Sequence, residues 1–458
     1  MRSALDEYLE RLKGKRVAVL GIGVSNRPLI DLLCQAGIAV TACDKRDRDS
    51  FNGLIEKLEA NGVSCHLGPD YLDHLDGMDV IFRTPGLRPD LPQLERAKAA
   101  GAELTSEMEA FFSVCPCRIL AVTGSDGKTT TTTIIAGLLS ASGYRTYVGG
   151  NIGHPLLSQA GEMRPDDIVV LELSSFQLMT MEQSPDVAVV TNLAPNHLDI
   201  HKNMQEYVDA KRNIFRYQSS DSKLVLNADN EITASFADQA RGEVTLFSRT
   251  KQLKKGVWLR DGTILSDGRP VLPGQDILIP GVHNVENYMA AIAAVDGLVS
   301  DETIRSFARS FAGVPHRIEL VRELNGVRWY NDSIASSPSR TIAGLRSFEK
   351  KVILIAGGYD KHVPYDSLGP EITRAVKVLI LVGATAPKIK QAVLDAPDYR
   401  TGEPVILERE TLGEAVNTAY DMARPGDVVL LSPASASFDQ FKNFEERGNV
   451  FKQFVNQL

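Results

Sequence analysis

Arg118-Ile-Leu-Ala-Val-Thr-Gly-Ser-Asp-Gly-Lys-Thr-Thr-Thr-Thr-Thr133 decides the reading of this chain. An apolar run ends in a glycine-bearing turn, and a lysine followed by hydroxyls opens what reads as a helix. Such a corner presents backbone N–H groups, bared by Gly124 and Gly127, at a helix N-terminus, where they can wrap a phosphate. Lys128 supplies a point charge for the terminal phosphates, and Thr129 offers its hydroxyl to Mg2+. The strict phosphate-loop pattern also has glycine at position 122; here that residue is valine and the first glycine stands at 124. A bland strand–turn–helix corner has no need of Gly-Lys-Thr-Thr, so the stretch predicts binding of a nucleoside triphosphate.

At 458 residues the chain is longer than one core usually supports, and about three domains are expected. Composition is that of an ordinary globular protein, 43% hydrophobic and 24% charged, with mean hydropathy −0.11. No apolar run approaches the ~18 residues of a membrane span. The opening Met1-Arg-Ser-Ala-Leu-Asp-Glu-Tyr8 is amphipathic and acidic, unlike a signal peptide. Five irregularly spaced cysteines make no disulfide frame, and Cys115-Pro-Cys117 lacks metal spacing, so a reduced cytoplasm is the expected home. A net charge of −8 without a basic block argues against nucleic acid as partner.

Residues 1–106 open as a Rossmann-like unit: the apolar run 15–20, Gly21-Ile-Gly23-Val-Ser-Asn26, a helix, then the run 38–43 ending at Asp44. Asn26 stands where the dinucleotide fingerprint has its third glycine. NAD, another nucleotide such as UDP, and a purely structural turn all stay open. Arg83-Thr-Pro-Gly86, after the run 79–82, adds a second glycine turn at what should be the same sheet edge. Residues 107–313 carry the phosphate loop and the apolar runs 168–173 and 186–191, with a turn-rich stretch at 240–280 that suggests a small antiparallel insertion. Residues 314–458 alternate strand and helix again, with runs at 351–356, 375–382 and 427–431. The expected class is α/β in three domains: Rossmann-like, phosphate-loop ATPase-type, and Rossmann-like again.

Glu172 lies inside an apolar run, where an ionised carboxylate is costly unless paired or on a metal. It fits the complement of Thr129 on Mg2+; a structural salt bridge is the alternative. His197 sits in the loop after the next run. Asn203, with Glu206 three residues on, reads as a capping box opening a helix whose stripe is Met204, Tyr207, Val208, Lys211, Ile214 and Phe215. Spacing alone favours a Lys211 that snorkels out of that stripe. Were it desolvated, its neutral amine could add CO2 and become a metal-binding carbamate. Asn284 and Asn287 open an alanine-rich helix and suit a base or ribose. Arg317 and Asp332 lie beside the second domain joint, near Gly313, where closure would clamp ATP.

Taken together, these residues resemble the Mur ligases, the ATP-dependent amino-acid-adding enzymes of peptidoglycan synthesis. The resemblance runs over essentially the whole chain: Thr123-Gly-Ser-Asp-Gly-Lys-Thr129, Gly149-Gly-Asn151-Ile-Gly153, Leu171-Glu-Leu-Ser-Ser-Phe-Gln177, Asn196-His-Leu-Asp199, His283-Asn-Val-Glu-Asn287 and Pro315-His-Arg317. Leu431-Ser-Pro-Ala-Ser-Ala-Ser-Phe-Asp-Gln-Phe-Lys-Asn-Phe-Glu-Glu-Arg-Gly448 is most similar to the branch that adds D-glutamate to UDP-N-acetylmuramoyl-L-alanine. The resemblance implies an acyl-phosphate route giving ADP and phosphate, in the cytoplasmic pathway that feeds cell-wall growth, shape and division, carried out by a monomer.

It also implies site residues. Gly124, Ser125, Asp126, Gly127, Lys128, Thr129, Thr130, Asn287, Arg317 and Asp332 would hold ATP. Thr129 and Glu172 would hold one Mg2+, and His197 with a carbamylated Lys211 a second. Asn151 would touch the substrate carboxylate region. Gly23, Val24, Ser25, Asp44, Lys45, Thr84 and Gly86 would bind the UDP-sugar, and Ser336, Lys361, Ser437 and Phe444 D-glutamate. Where many relatives read Asn-Asp-Ser-Lys-Ala-Thr, this chain has Asn331-Asp-Ser-Ile-Ala-Ser336. Arg340, in the first turn of a helix opened by Ser337 and Pro338, is the expected substitute for the lost cation. Another Mur ligase, a folylpolyglutamate synthase, a nucleotide sensor and an NAD-dependent dehydrogenase are the competing readings.

Overall fold

Short apolar runs that bury both faces need helices on both sides, and this requirement shapes the chain three times. The computed structural model describes residues 3–195 and 200–458. The first sheet holds β1 (Val17–Leu20), β2 (Val40–Asp44), β3 (Ser64–Leu67), β4 (Val80–Arg83) and β5 (Glu103–Thr105). Their order is β3-β2-β1-β4-β5, all parallel. The four residues of β1 are wholly inaccessible, each large side chain among them contributing about 1.5–3 kcal/mol. The order reverses between β1 and β4, so the loops after β1, β2 and β4 meet at one edge, where open α/β sheets bind ligands.

The second sheet contains β6 (Arg118–Thr123), β7 (Thr146–Gly150), β8 (Ile168–Glu172), β9 (Val187–Val190), β10 (Lys223–Asn227), β11 (Glu243–Ser248), β12 (Val257–Arg260), β13 (Thr263–Ser266) and β14 (Arg269–Pro273). The order is β14-β13-β12-β11-β10-β9-β6-β8-β7. Residues 240–280 therefore make no separate antiparallel insertion. The hairpin β12–β13 is antiparallel, but β11 runs parallel to β10, and Phe247↔Val257 with Ser248↔Trp258 joins the hairpin to the main sheet.

The third sheet is β15 (Glu319–Leu324), β16 (Val327–Asn331), β17 (Val352–Gly357), β18 (Val376–Val382), β19 (Val405–Glu408) and β20 (Val428–Leu431), ordered β15-β16-β20-β17-β18-β19. Only the β15–β16 pairing is antiparallel. By contacts the chain forms two compact units, residues 1–272 with 286–304, and 273–285 with 305–458. The first and second sheets lie in the former, and the third in the latter. No helix among the described residues is long and apolar enough to cross a membrane.

Candidate active site

β6 delivers the chain to Gly124, whose φ of +150° suits glycine and where a Cβ would collide with Thr191 Oγ1. The loop is pinned to the turn after β9: Ser125 N–H donates to Asn192 O at 2.8 Å and Asp126 N–H to Asn192 Oδ1 at 3.0 Å. Gly127, at φ +78°, is the N-cap of the helix Lys128–Ala141. Lys128 Nζ folds over the loop and donates to Gly124 O at 3.0 Å and Ser125 O at 2.9 Å. Thr130 is buried on the inner face of the helix. Asn287 joins this corner from the helix Val282–Ala294, accepting from Thr131 Oγ1 at 3.2 Å. A Cβ on Gly127 would strike Asn287 Oδ1. Gly127→Ala is expected to raise the ATP KM several-fold and lower the thermal midpoint, because left-handed backbone costs about 1–2 kcal/mol and the Asn287 amide must move. An unchanged ATP KM in steady-state assays would remove Asn287 from the nucleotide site.

Glu172 ends β8 next to β6, paired with Val122, and is 1% exposed. Both of its oxygens are taken by neutral donors: Thr129 Oγ1 to Oε2 at 2.7 Å and Asn151 Nδ2 to Oε1 at 2.7 Å. Three predicted residues from three segments thus meet at one carboxylate. A threonine hydroxyl and one carboxylate suit Mg2+, which keeps waters and substrate phosphates as its other ligands. Accordingly, no group of three or more His, Cys, Asp or Glu among the described residues makes a metal cage by itself. His197 lies outside the described residues.

Lys211 does not snorkel. It is 2% exposed, on a helix (Met204–Arg216) that buries Tyr207, Val208, Ala210, Ile214 and Phe215 beside it. Its Nζ donates to Thr123 Oγ1 at 3.1 Å and lies 5.0 Å over the Tyr207 ring. Burial, and then the Lys128 charge, hold its ammonium well below the ordinary lysine range, against the pull of Glu172. The capping box forms by half. Asn203 Oδ1 takes Glu206 N–H at 2.9 Å, but the Glu206 carboxylate turns to Lys202 N–H and to Arg88.

Gly23, Val24 and Ser25 follow β1, Asp44 ends β2 with Lys45 beyond it, and Thr84 and Gly86 follow β4, at one edge of the first sheet. Asn26, in place of a third glycine, is buried and donates to Leu20 O and Gly21 O, tying the turn by side chain. Asp44 accepts Ile22 N–H at 2.8 Å and a fork from Arg46 at 2.8 and 3.0 Å. Burial would raise its pKa, yet these bonds outweigh it and hold the carboxyl below its usual value. Arg46, which also lies 4.3 Å over Phe51, had no signal in the sequence beyond its nearness to Asp44.

In the other unit, Ser336, Lys361 and Ser437 follow β16, β17 and β20, which are neighbours in the third sheet, and Phe444 opens the helix Phe444–Gln457. Asp332 ends the same edge, accepting Ser432 Oγ–H at 2.8 Å and Ile318 N–H at 3.3 Å. Burial pushes its carboxyl up to about 7, opposed by these donors and by Arg317 and Arg340. Asn284 donates to Pro280 O at 2.6 Å, a local bond at its helix's start. Arg447 was passed over by sequence reasoning. Buried, it donates to Ser333 Oγ and to the carbonyls of Ser333, Ser435 and Ala436, and so fixes the loops around Ser437.

Family models match in chain order: Mur ligase MurD-like, N-terminal domain at residues 15–106; Mur ligase middle domain at 122–295; and Mur ligase, glutamate ligase domain at 316–435. The chain is 56% identical over 464 residues to a UDP-N-acetylmuramoylalanine–D-glutamate ligase of Acetivibrio thermocellus, with all of both chains covered. Enzymes of the same name from Ruminiclostridium cellulolyticum and Clostridium botulinum are 55% and 52% identical, again over the whole of both chains. Among solved structures, the fold is similar to UDP-N-acetylmuramate-alanine ligase of Thermotoga maritima (TM-score 0.58, 19% identity, 97% of this chain and 99% of that one). It is also similar to MurF ligase of Thermotoga maritima in complex with ADP (TM-score 0.56, 17% identity, all of both chains). The chain belongs to the Mur ligase family.

Proposed function

We propose that this chain is an ATP-dependent ligase that adds D-glutamate to UDP-N-acetylmuramoyl-L-alanine in the cytoplasmic synthesis of peptidoglycan precursors. The observation that carries the reading is overall identity above one half with relatives of that name, in matches that cover the whole of both chains and so take in the last third as well as the middle. Residues 1–106 take the UDP-sugar, 107–313 the ATP and 314–458 the amino acid, and the enzyme works as a monomer.

The substrate carboxylate takes the γ-phosphoryl group of ATP to give an acyl phosphate and ADP. The D-glutamate amine then attacks that carbonyl and phosphate leaves. Neither step needs a protein nucleophile, so the chain's task is alignment and charge neutralisation. Lys128, released from its own loop carbonyls, meets the terminal phosphates. Gly124 to Thr130 cradle them with backbone N–H groups, while Asn287, Arg317 and Asp332 hold the rest of the nucleotide. Thr129 and Glu172 would hold an Mg2+ that would supply positive charge against the phosphates, and His197 and Lys211 would hold a second. Asn151, bonded to Glu172, would orient the acceptor carboxylate in this reading. We propose that Lys211 is carbamylated: its neutral amine adds CO2, an N–C bond forming as one C=O bond opens onto oxygen and the nitrogen's proton leaves to solvent, and a buried amine becomes a buried metal-binding anion.

Phosphate release from ATP and Mg2+ with UDP-N-acetylmuramoyl-L-alanine, offering D-glutamate, L-glutamate, L-lysine or meso-diaminopimelate in turn, tests the function. Turnover with D-glutamate alone is expected; turnover with another amino acid overturns the substrate. Ser336, Lys361, Ser437 and Phe444 form the D-glutamate site in this reading, with Arg340 standing in for the cation missing at Ile334. Arg340 Nη1 reaches Ile334 O at 3.4 Å and the side chain is exposed at the first turn of the helix Pro338–Leu345. Arg340→Ala is expected to raise the D-glutamate KM about tenfold, the cost of one charge-assisted contact. If KM and kcat both stay at wild-type values, Arg340 has no such part.

A further inference from the structure

Two arginines flank the turn Thr84–Leu87, and both reach elements of the second sheet's domain. Arg83 is 1% exposed; its Nη1 donates to the carbonyls of Thr84, Pro85 and Leu87, and its Nη2 to Phe176 O at 3.2 Å and Thr180 Oγ1 at 3.1 Å. Arg88 spends all five N–H donors. Nε and Nη2 fork onto Asp90 at 2.8 and 3.0 Å, Nη2 and Nη1 fork onto Glu206 at 2.8 and 3.1 Å, and Nη1 also takes Ile200 O at 2.7 Å. Lys202 Nζ closes the outer side on Asp90 at 2.6 Å.

The two arginines are joined beneath the turn. His201 is buried, pairs through Nε2 with Ser175 Oγ at 2.9 Å, stacks on Phe176 at 5.2 Å and places Nδ1 3.5 Å from Glu206. Contacts therefore run in a closed ring: turn, Arg83, Phe176, His201, Glu206, Arg88, turn. Tyr207, next along the helix from Glu206, packs edge-on against His201, shares a hydrogen bond with Ser125 Oγ at 2.9 Å and lies beneath Lys211. A bidentate guanidinium–carboxylate pair fixes orientation as well as charge, which a lysine cannot do. Half-exposed pairs of this kind add only about 0–1 kcal/mol to stability, so the ring's consequence lies in geometry.

We propose that Arg88 is a positioning residue for the ligation, tying the Thr84–Gly86 turn to the entry of the helix that carries Lys211. The inference rests on the functional reading for the role of that turn and of Lys211; the clasp itself rests on the contacts. UDP-sugar seated on the turn then holds the Lys211 helix in register with the phosphate loop through Arg88, Glu206 and Tyr207. Loss of the fork loosens the helix entry and misplaces the reacting groups, although Arg88 touches none of them.

The test compares wild type with Arg88→Ala, Arg88→Lys, Glu206→Gln and the Arg88→Ala/Glu206→Gln double variant. Readouts are kcat, each KM, the thermal midpoint and amide hydrogen exchange over residues 200–211. Arg88→Ala is expected to lower kcat about tenfold or more, as a misplacement of a fraction of an ångström does, with the ATP KM within about twofold. Arg88→Lys is expected to recover little, and the double variant to be no slower than Arg88→Ala, since both single changes break one unit. Exchange over 200–211 should quicken in every variant. Wild-type kcat in Arg88→Ala, or additive losses in the double variant, overturns the proposal. So does a lower thermal midpoint with kcat unchanged. A wild-type protein inactive with every amino acid overturns the functional reading instead; the clasp then stands or falls on exchange alone, unchanged rates in Arg88→Ala refuting it.

Discussion

Lys128→Ala is expected to lower kcat about 10²–10³-fold, the range seen when one preorganised donor to a transition-state oxyanion is removed. The side chain stands at the first position of the phosphate-loop helix, with its ammonium on the carbonyls of Gly124 and Ser125. A triphosphate on the loop offers that ammonium stronger acceptors, and the contact tightens as charge moves onto the leaving and transferring oxygens. The change removes little packing, because the loop is held separately by Asn192, so the thermal midpoint should shift only slightly. Lys128→Arg should recover little, since a planar fork does not fit where a compact point charge is cradled by backbone. Phosphate release at saturating substrates, set beside a thermal melt, is the check. Near-wild-type turnover in Lys128→Ala would leave the loop without its catalytic part.

What was legible in the sequence is what one-dimensional pattern encodes. β1, β4, β6, β8, β9, β17, β18 and β20 are near-continuous apolar runs, and each was placed to within about two residues. β7 received no strand, because Thr146–Gly150 is a half-exposed sheet edge with two glycines, and nothing in its spacing marks it. The link between the β12–β13 hairpin and the main sheet was equally hidden, since two paired residues, Phe247 and Ser248 against Val257 and Trp258, carry it.

The site divides along the same line. Thr129, Glu172, Asn151 and Lys211 were named from motif and stripe, and the first three meet at one carboxylate. The burial of Lys211 could not be read from spacing, because a stripe residue with a long side chain has two outcomes and only the surrounding core decides between them. Arg88 and His201 left no trace in the motifs, and Arg46, Arg83 and Arg447 stood in or beside the quoted stretches without a part assigned to them. All but Arg46, whose main partner Asp44 is two residues away, act through partners far along the chain, as Arg88 does with Glu206, and nothing local announces them.

That buried lysine yields the second large effect. If Lys211 holds the second metal ion as proposed, its removal should cost at least about 10²-fold in kcat, the upper end of what even outer-shell partners of a metal contribute, so on that reading Lys211→Arg is expected to lose nearly all turnover. Arginine keeps the positive charge and stays protonated, so it cannot add CO2. The charge of Lys128 already opposes a second buried cation at this place, and the guanidinium would have to displace the Thr123 hydroxyl contact. Wild type, by contrast, carries an amine held well below the ordinary lysine range, and so available in neutral form to CO2. Its rate should fall after CO2 is stripped from the buffer and recover when bicarbonate is restored, and it should show a carbamate carbon resonance with labelled bicarbonate. Lys211→Arg should show neither response. Activity of Lys211→Arg at the wild-type level would rule the carbamate out. A wild-type rate indifferent to CO2, with no labelled resonance, would leave Lys211 a buried amine whose part is confined to the Thr123 and Tyr207 contacts.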